Sequence, residues 1–343
     1  MDSSTHNTDQ NNGKESAITL AGIDEAGFGP ILGPLVVSSC TFSVPRALLK
    51  SDMWEVLKKS ISRKKRQLAG RILITDSKKA YSKSTGTKHL ERAALAVLGC
   101  LGYQVRNLRQ LTAVLSGDPQ EKSAAAWHKR LQSYPWYQQT DKVQPQAAPK
   151  DIAVARAVLS NDMNDHGIGL TDVRSSCLDV GFYNDLVRRV NNKASVLFIA
   201  AAELIRNIID KHPENDIHIF IDRQGGRVHY RENLMRSFEG MSLRIISEDT
   251  NSSSYELFDG KRYIYISFSV GADDAYMPVA LASMVSKYLR EMLMGCINSY
   301  FMSLVPAIRP TAGYWKDGQR FIKQLKENLT EADFDSDKLI RSR

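Results

Sequence analysis

Three short acidic stretches carry the residue types from which a catalytic site could be built. Ala17 to Glu25 reads as a buried strand that ends in Asp24 and Glu25, and glycines follow at once in Gly27-Phe28-Gly29-Pro30. Asp222 closes a second apolar run, in which Ile217, Ile219 and Ile221 alternate with His218 and Phe220; Arg223-Gln224-Gly225-Gly226 comes next. Asp273 stands in Gly271-Ala272-Asp273-Asp274-Ala275-Tyr276, just before a helix opened by Pro278. Hard divalent cations take oxygen ligands, and a paired-metal phosphodiesterase needs about four carboxylates around two ions. Asp24, Glu25, Asp222 and Asp273 supply that number from the ends of strands and the start of a helix.

Each stretch also has a plainer reading when taken alone. Asp-Glu after a strand is a common solvated turn, and Asp before a glycine pair is ordinary turn chemistry. An acid ahead of a helix caps it or favours its positive dipole end. Gly27, Gly29 and Gly33 approximate a dinucleotide-binding loop but fail it on context. One residue too many separates the last two glycines, prolines interrupt, and a strand follows where a helix is required. Other chemistries find no support: there is no nucleophile elbow, Walker loop or HExxH, and the seven histidines form no ligand-spaced set.

The elements that must position these acids follow from periodicity. Gly33 to Val44 is expected to form a strand after the first turn, and Tyr103 to Leu108 another. Helical spacing marks Trp54 to Lys59, His89 to Leu101, Asn192 to Asp210, Tyr230 to Phe238 and Trp315 to Leu329. A long helix runs from Pro278 towards Tyr300. Leu243–Glu248 reads as a strand, and Tyr255–Phe258 and Arg262–Val270 as a hairpin closed at Asp259-Gly260. This order predicts an α/β fold: a mixed central sheet flanked by helices, with a C-terminal helical part. Residues 1–16 read as a disordered tail and 331–343 as a charged tail. Residues 109–175, with four prolines and no strand pattern, read as an insertion that splits a main domain of 17–108 and 176–330. Its aromatics Trp127, Tyr134, Trp136 and Tyr137 suit a small satellite core better than base stacking.

The net charge of +8 favours an anionic partner, nucleic acid above all. Cys40, Cys100, Cys177 and Cys296 include no CxxC pair and read as reduced thiols. No apolar run approaches the ~20 residues of a membrane helix. A cytoplasmic, monomeric protein with no membrane association is expected.

Several motifs together resemble the ribonuclease HII family. Gly22-Ile23-Asp24-Glu25-Ala26-Gly27 is similar to the family's opening signature, and Asp76-Ser77-Lys78-Lys79 to its basic loop. Ala272-Asp273 with Tyr276, Ala282-Ser283 and Lys287 resembles its Ala-Asp motif and the helix that follows. Gly313-Tyr314 resembles the Gly-Tyr before its last helix. The matches are scattered through residues 17–104 and 176–325.

The resemblance implies a ribonuclease H-like fold and hydrolysis of RNA paired with DNA, or of ribonucleotides embedded in duplex DNA, leaving 3′-hydroxyl and 5′-phosphate ends. By that analogy Asp24 bridges two Mg²⁺ or Mn²⁺ ions, with Glu25, Asp222 and Asp273 completing their shells. The backbone of Gly27, Phe28 and Gly29 approaches the ribose 2′-hydroxyl, and Tyr314 lies against the neighbouring sugar. Ser283 and Lys287 line the site. Lys78 and Lys79 contact phosphates, as could part of the run Lys58, Lys59, Arg63, Lys64, Lys65 and Arg66. The chain departs from the family at Phe28, where a basic residue is usual, at Ser286 and Gly271, and in the insertion. Those departures leave open a nuclease of the same fold with another substrate, or a non-catalytic nucleic-acid-binding scaffold.

Overall fold

The computed structural model describes residues 17–82, 84–117, 124–330 and 334–342. Residues 1–16, expected to be a disordered tail, lie outside them.

The chain opens with two long strands, β1 (Ala17–Ala26) and β2 (Leu35–Pro45), paired antiparallel from Ala17↔Pro45 to Ala26↔Val36. A two-rung parallel ladder, Ile61–Ser62 with Ile72–Leu73, precedes helices α1 (Lys88–Cys100), α2 (Leu108–Ser116), α3 (Ala124–Leu131) and α4 (Pro149–Asp165). Strand β3 (Gly169–Leu178) then pairs antiparallel with β2. Helices α5 (Val180–Val190) and α6 (Lys193–Lys211) are N-capped by the side chains of Asp179 and Asn192. They lead into β4 (Ile217–Asp222), which runs parallel to β1. Helix α7 (Arg231–Ser237) is followed by an antiparallel meander of β5 (Ser242–Glu248), β6 (Ser252–Phe258) and β7 (Tyr263–Ser269). The long helix α8 (Met277–Leu304) and α9 (Trp315–Asn328) complete the set.

The sheet order is β3-β2-β1-β4-β7-β6-β5, with β7 parallel to β4. An antiparallel trio continued by two parallel strands, with helices on both faces, is the ribonuclease H-like fold. The β5–β6 pair extends that sheet beyond β7.

Alternation along the strands divides the interior into two cores. Ile18 and Leu20 of β1 face α8 and α1, whereas Ala21 and Ile23 face α6 together with Ile217, Ile219 and Ile221 of β4. On the α8 side the helix comes unusually close. A Cβ on Gly22 would lie 2.2 Å from the Pro278 carbonyl carbon and the Val279 nitrogen, so only glycine lets the N-terminus of α8 rest on β1.

Four sequence expectations need correction. Gly169–Leu178, its residues 169–175 assigned to the insertion, forms the third strand of the main sheet. Its polar residues hid it: Arg174 pairs with Asp172 at 2.9 Å, and Ser175 shares a 2.7 Å hydrogen bond with Ser38. The insertion's aromatics are not a satellite core. Tyr134, Trp136 and Tyr137 are buried in the main core, where the Trp136 ring lies 5.6 Å from that of Phe301. The expected strand Tyr103 to Leu108 is absent: Tyr103 to Asn107 is irregular, and Leu108 starts α2, capped by Asn107. The described part of the supposed charged tail, residues 334–342, is folded in: Phe334 and Leu339 are buried and Ile340 bridges Leu32.

Candidate active site

Register brings the first two acids together. Ile23 pairs with Ile221 in the parallel β1–β4 ladder, so Asp24 and Asp222 occupy the next rung of adjacent strands. Both continue the face that carries Leu20 and Phe220, beneath the start of α8. Glu25 points the other way on the regular pleat, and its approach to the same site depends on its place at the strand's end. Asp273 comes from the short helical turn Ala272–Ala275 ahead of α8. That turn is tied to β4 by a 2.9 Å hydrogen bond from Ala272 N–H to Asp222 Oδ1. Gly271, at φ +65°, makes the reversal from β7 into it.

Asp24 is buried and held on several sides. Its Oδ1 accepts the Glu25 N–H at 2.7 Å, and its carbonyl accepts the Ser286 hydroxyl at 3.0 Å. The Ser283 hydroxyl also bonds its carboxylate and lies 3.0 Å from Ser77 Oγ. Ser286 lies 2.8 Å from Ser38, which is bonded to Ser175. A chain of hydroxyls thus runs under the site from α8 to β3.

All four carboxyls are raised by burial, and Asp222 raises the other three. Burial, then Glu25, then Asp222 hold the Asp24 carboxyl well above the usual carboxylate range. Burial and Asp222 raise Glu25 to about 7. Burial raises Asp222, and burial with Asp76, Asp222 and Asp274 raises Asp273 to about 6. Lys78 opposes the shift at Glu25, Asp222 and Asp273. Buried carboxylates that raise one another mark a place where positive charge is in short supply. Even so, among the described residues no group of three or more His, Cys, Asp or Glu side chains is arranged so that it could hold a metal ion. The donor chemistry fits a hard cation, but the carboxylates are not closed into a ready cage.

The other candidates divide between exposed and buried positions. Gly27, at φ +95°, and Gly29 open the turn after β1, with space above Gly29. Phe28 is half-buried and packs on the α6-side core, so the turn offers its backbone rather than that side chain. Tyr314 is 50% exposed and precedes α9. Lys78 belongs to the turn Ser77–Ala80, which is N-capped by Asp76. Lys79 is paired with Asp274 at 2.7 Å, and Lys287 with Glu291 at 2.6 Å, so neither cation stands free. Ser283 is buried beneath Asp24, where it supports the carboxylate. In the basic run, Arg63 stacks on Trp54 and donates to the Asp274 carbonyl, which brings that run to the acids; Lys59 is bound to Asp165. Asp76 and Asp274, present in the quoted motifs but not chosen as site residues, carry charges that reach Asp273, and the buried arginines Arg290 and Arg341 gave no sequence signal.

A mixed sheet of this topology with acids at the ends of β1 and β4 defines the class: a ribonuclease H-like fold. Solved structures similar to the chain include proteins named RNase HII, RNase HIII and ribonuclease H2. One is RNase HII of Archaeoglobus fulgidus in complex with PCNA, at 16% identity, 95% coverage of each chain and a TM-score of 0.42. Another is Bst-RNase HIII in complex with Mn²⁺, at 14% identity over 95% of this chain and 70% of that one, with a TM-score of 0.36. A third is ribonuclease H2 of Pyrococcus horikoshii OT3, at 13% identity over 94% and 92%, with a TM-score of 0.39. No protein-family model matches the sequence, and no curated protein matches it.

Proposed function

We propose that the protein is a divalent-metal-dependent endoribonuclease. It hydrolyses the RNA strand of RNA–DNA hybrids, or ribonucleotides embedded in duplex DNA, and leaves 3′-hydroxyl and 5′-phosphate ends. The observation that carries this reading is that Asp24, Glu25, Asp222 and Asp273, four acids from three separate stretches of sequence, are all raised by burial, and Asp222 raises the other three.

These four residues would hold Mg²⁺ or Mn²⁺, probe ions for a two-ion site. Bound there, such ions supply an activated water and the charge neutralisation that phosphodiester hydrolysis requires. The chain's own groups do the rest. Asp24 is fixed by the Glu25 N–H and the Ser283 hydroxyl, and Asp222 by the Ala272 N–H. Lys78, with Lys79 beside it, faces the phosphates. The backbone of Gly27, Phe28 and Gly29 meets the ribose 2′-hydroxyl, and Tyr314 lies against the neighbouring sugar. Phe28 packs inward, which supports recognition by backbone groups alone. Nucleic acid is the partner; among the described residues no helix is long and apolar enough to cross a membrane.

The test is cleavage of two labelled duplexes with Mg²⁺ or Mn²⁺, one an RNA–DNA hybrid and one a DNA duplex with a single ribonucleotide. Metal-dependent cutting that is lost in Asp24→Asn is expected. A folded protein that binds metal but cuts neither duplex acts on another nucleic acid. One that binds no metal and cuts nothing is a non-catalytic scaffold.

A further inference from the structure

Two buried arginines grip the turn that follows β1. Arg290, on α8, is 1% exposed, and its Nη2 donates to the carbonyls of Leu32 at 3.2 Å and Ala312 at 3.1 Å. Arg341 is 4% exposed and donates from Nε to the Gly33 carbonyl at 2.7 Å and from Nη1 to the Gly27 carbonyl. Its backbone N–H reaches the Ile31 carbonyl at 2.9 Å. The turn rests directly on the other guanidinium, since a Cβ on Gly27 would lie 2.4 Å from Arg290 Nε. The carbonyls at both ends of residues 27–33 are therefore pinned from behind.

This grip is costly. Burial, then the charge of Arg290, hold the Arg341 guanidinium down to about 9. Arg290 Nη1 is 3.9 Å from Glu291, which is already bound to Lys287. Arg290 Nε and Arg341 Nη2 have no hydrogen-bond partner among the described residues. Apolar side chains of similar volume generally fill such a space at lower cost than buried charge. Fold stability alone is a poor account of the pair. What the pair does fix is the orientation of the turn's peptide groups, and hence of the N–H groups on its other side.

Arg341 is delivered by an element separate from α8. Asn184 of α5 donates to the carbonyls of Asp337 and Ile340, both at 2.9 Å, and its Oδ1 accepts the Ser342 N–H at 2.7 Å. Leu339 is fully buried and Ile340 bridges Leu32. Residues 335–342 thus form a clasp, anchored on α5, that closes over the turn.

We infer that Arg341 is a positioning residue for ribose recognition: through the Gly27 and Gly33 carbonyls it sets the backbone of Gly27, Phe28 and Gly29 against the 2′-hydroxyl. The inference rests on the proposed function and names the device that confers its selectivity. Arg341 itself touches no reacting atom.

The test compares the full-length chain with Arg341→Met and Arg341→Lys on two duplexes of one sequence, one with a single ribonucleotide and one all DNA. Arg341→Met is expected to raise KM for the ribonucleotide duplex about tenfold, with kcat and the Kd for the all-DNA duplex within about twofold. Arg341→Lys, which keeps the charge but loses the fork, should raise KM about threefold. It decides the matter if the methionine variant does not fold. Amide exchange of residues 27–33 should quicken in both variants while that of α8 stays unchanged. Equal weakening on both duplexes, or unchanged KM, overturns the inference and leaves Arg341 a structural residue. A wild type that cuts neither the ribonucleotide duplex nor an RNA–DNA hybrid sinks the proposed function and the inference with it. One that cuts the hybrid without distinguishing the two duplexes sinks the inference alone. A wild type that does distinguish them, with a methionine variant that still does, likewise sinks the inference alone.

Discussion

Two buried charge clusters of opposite sign meet at the end of β1 and the turn that follows it. At the end of β1, Asp24 and Glu25 join Asp222 and Asp273; behind the following turn, Arg290 lies beside Arg341. Both clusters shift their members towards neutrality, yet they are satisfied differently. The arginines direct their donors to main-chain carbonyls at Gly27, Leu32, Gly33 and Ala312. The acids receive only a few N–H and hydroxyl bonds and feel one nearby cation, Lys78. The first arrangement spends its donors on holding backbone in place. The second is short of positive charge, which is what a site for cations and phosphates offers. Like-charge clustering alone therefore does not identify a site; the partners of each group do.

The sharpest way to break this comparison is to remove one acid. Asp24→Asn should lower metal-dependent cleavage at least a thousandfold, about 4 kcal/mol in the barrier, while circular dichroism shows an intact fold. Asp222→Asn should behave alike. Cleavage by Asp222→Asn at the wild-type rate would refute its place in the site.

A packing change should separate the acids from their support. Gly22→Ala puts a methyl into the backbone of Pro278 and Val279. The start of α8 must then move off β1, carrying Ser283 and Asp273 away from Asp24. A loss of about 3 kcal/mol in urea unfolding is expected, with activity falling further than stability. Unchanged unfolding would show that the helix has slack at this contact.

Cation binding should stabilise one cluster only. At a hundred times its Kd, a divalent ion adds about 2.7 kcal/mol to the folded state, read as a rise in Tm on adding Mn²⁺. Asp24→Asn should abolish that rise, and Arg341→Met should keep it.

The acids were legible in the sequence because each closes a run whose periodicity is plain. Ile217, Ile219 and Ile221 show their strand directly, and the glycines after Glu25 show where the first one ends. Convergence was not legible, since the parallel pairing of β1 with β4 joins residues almost 200 positions apart. Strand β3 was missed because Asp172, Arg174, Ser175 and Ser176 are polar, and their burial depends on partners elsewhere, Ser38 and Lys211 among them. The clasp was missed for a related reason. Residues 331–343 read as solvated from their charge, and nothing local shows that Arg341 reaches carbonyls three hundred residues earlier. Ser283 was legible as part of a motif, but its burial beneath Asp24 follows from the packing of α8 that Gly22 permits.

The smallest expected effect concerns pH in the metal-free protein. Glu25 titrates near 7 in the folded chain against an ordinary 4.5, so the native state keeps its proton to higher pH than the unfolded state does. The contribution is full below about 4.5 and is lost as pH rises through 7. Asp273, raised to about 6, and Asp24 and Asp222, both raised, act in the same direction. Stability measured in a chelator should therefore fall between pH 4.5 and 7, with Glu25 accounting for part of that fall. Glu25→Gln should flatten that slope by its share and leave the remainder. Saturating Mn²⁺ should flatten or reverse it in the wild type, because ligation favours the ionised carboxylates. If the slope persisted in Glu25→Gln and did not respond to Mn²⁺, the charge deficit would lie elsewhere than at the ends of β1 and β4.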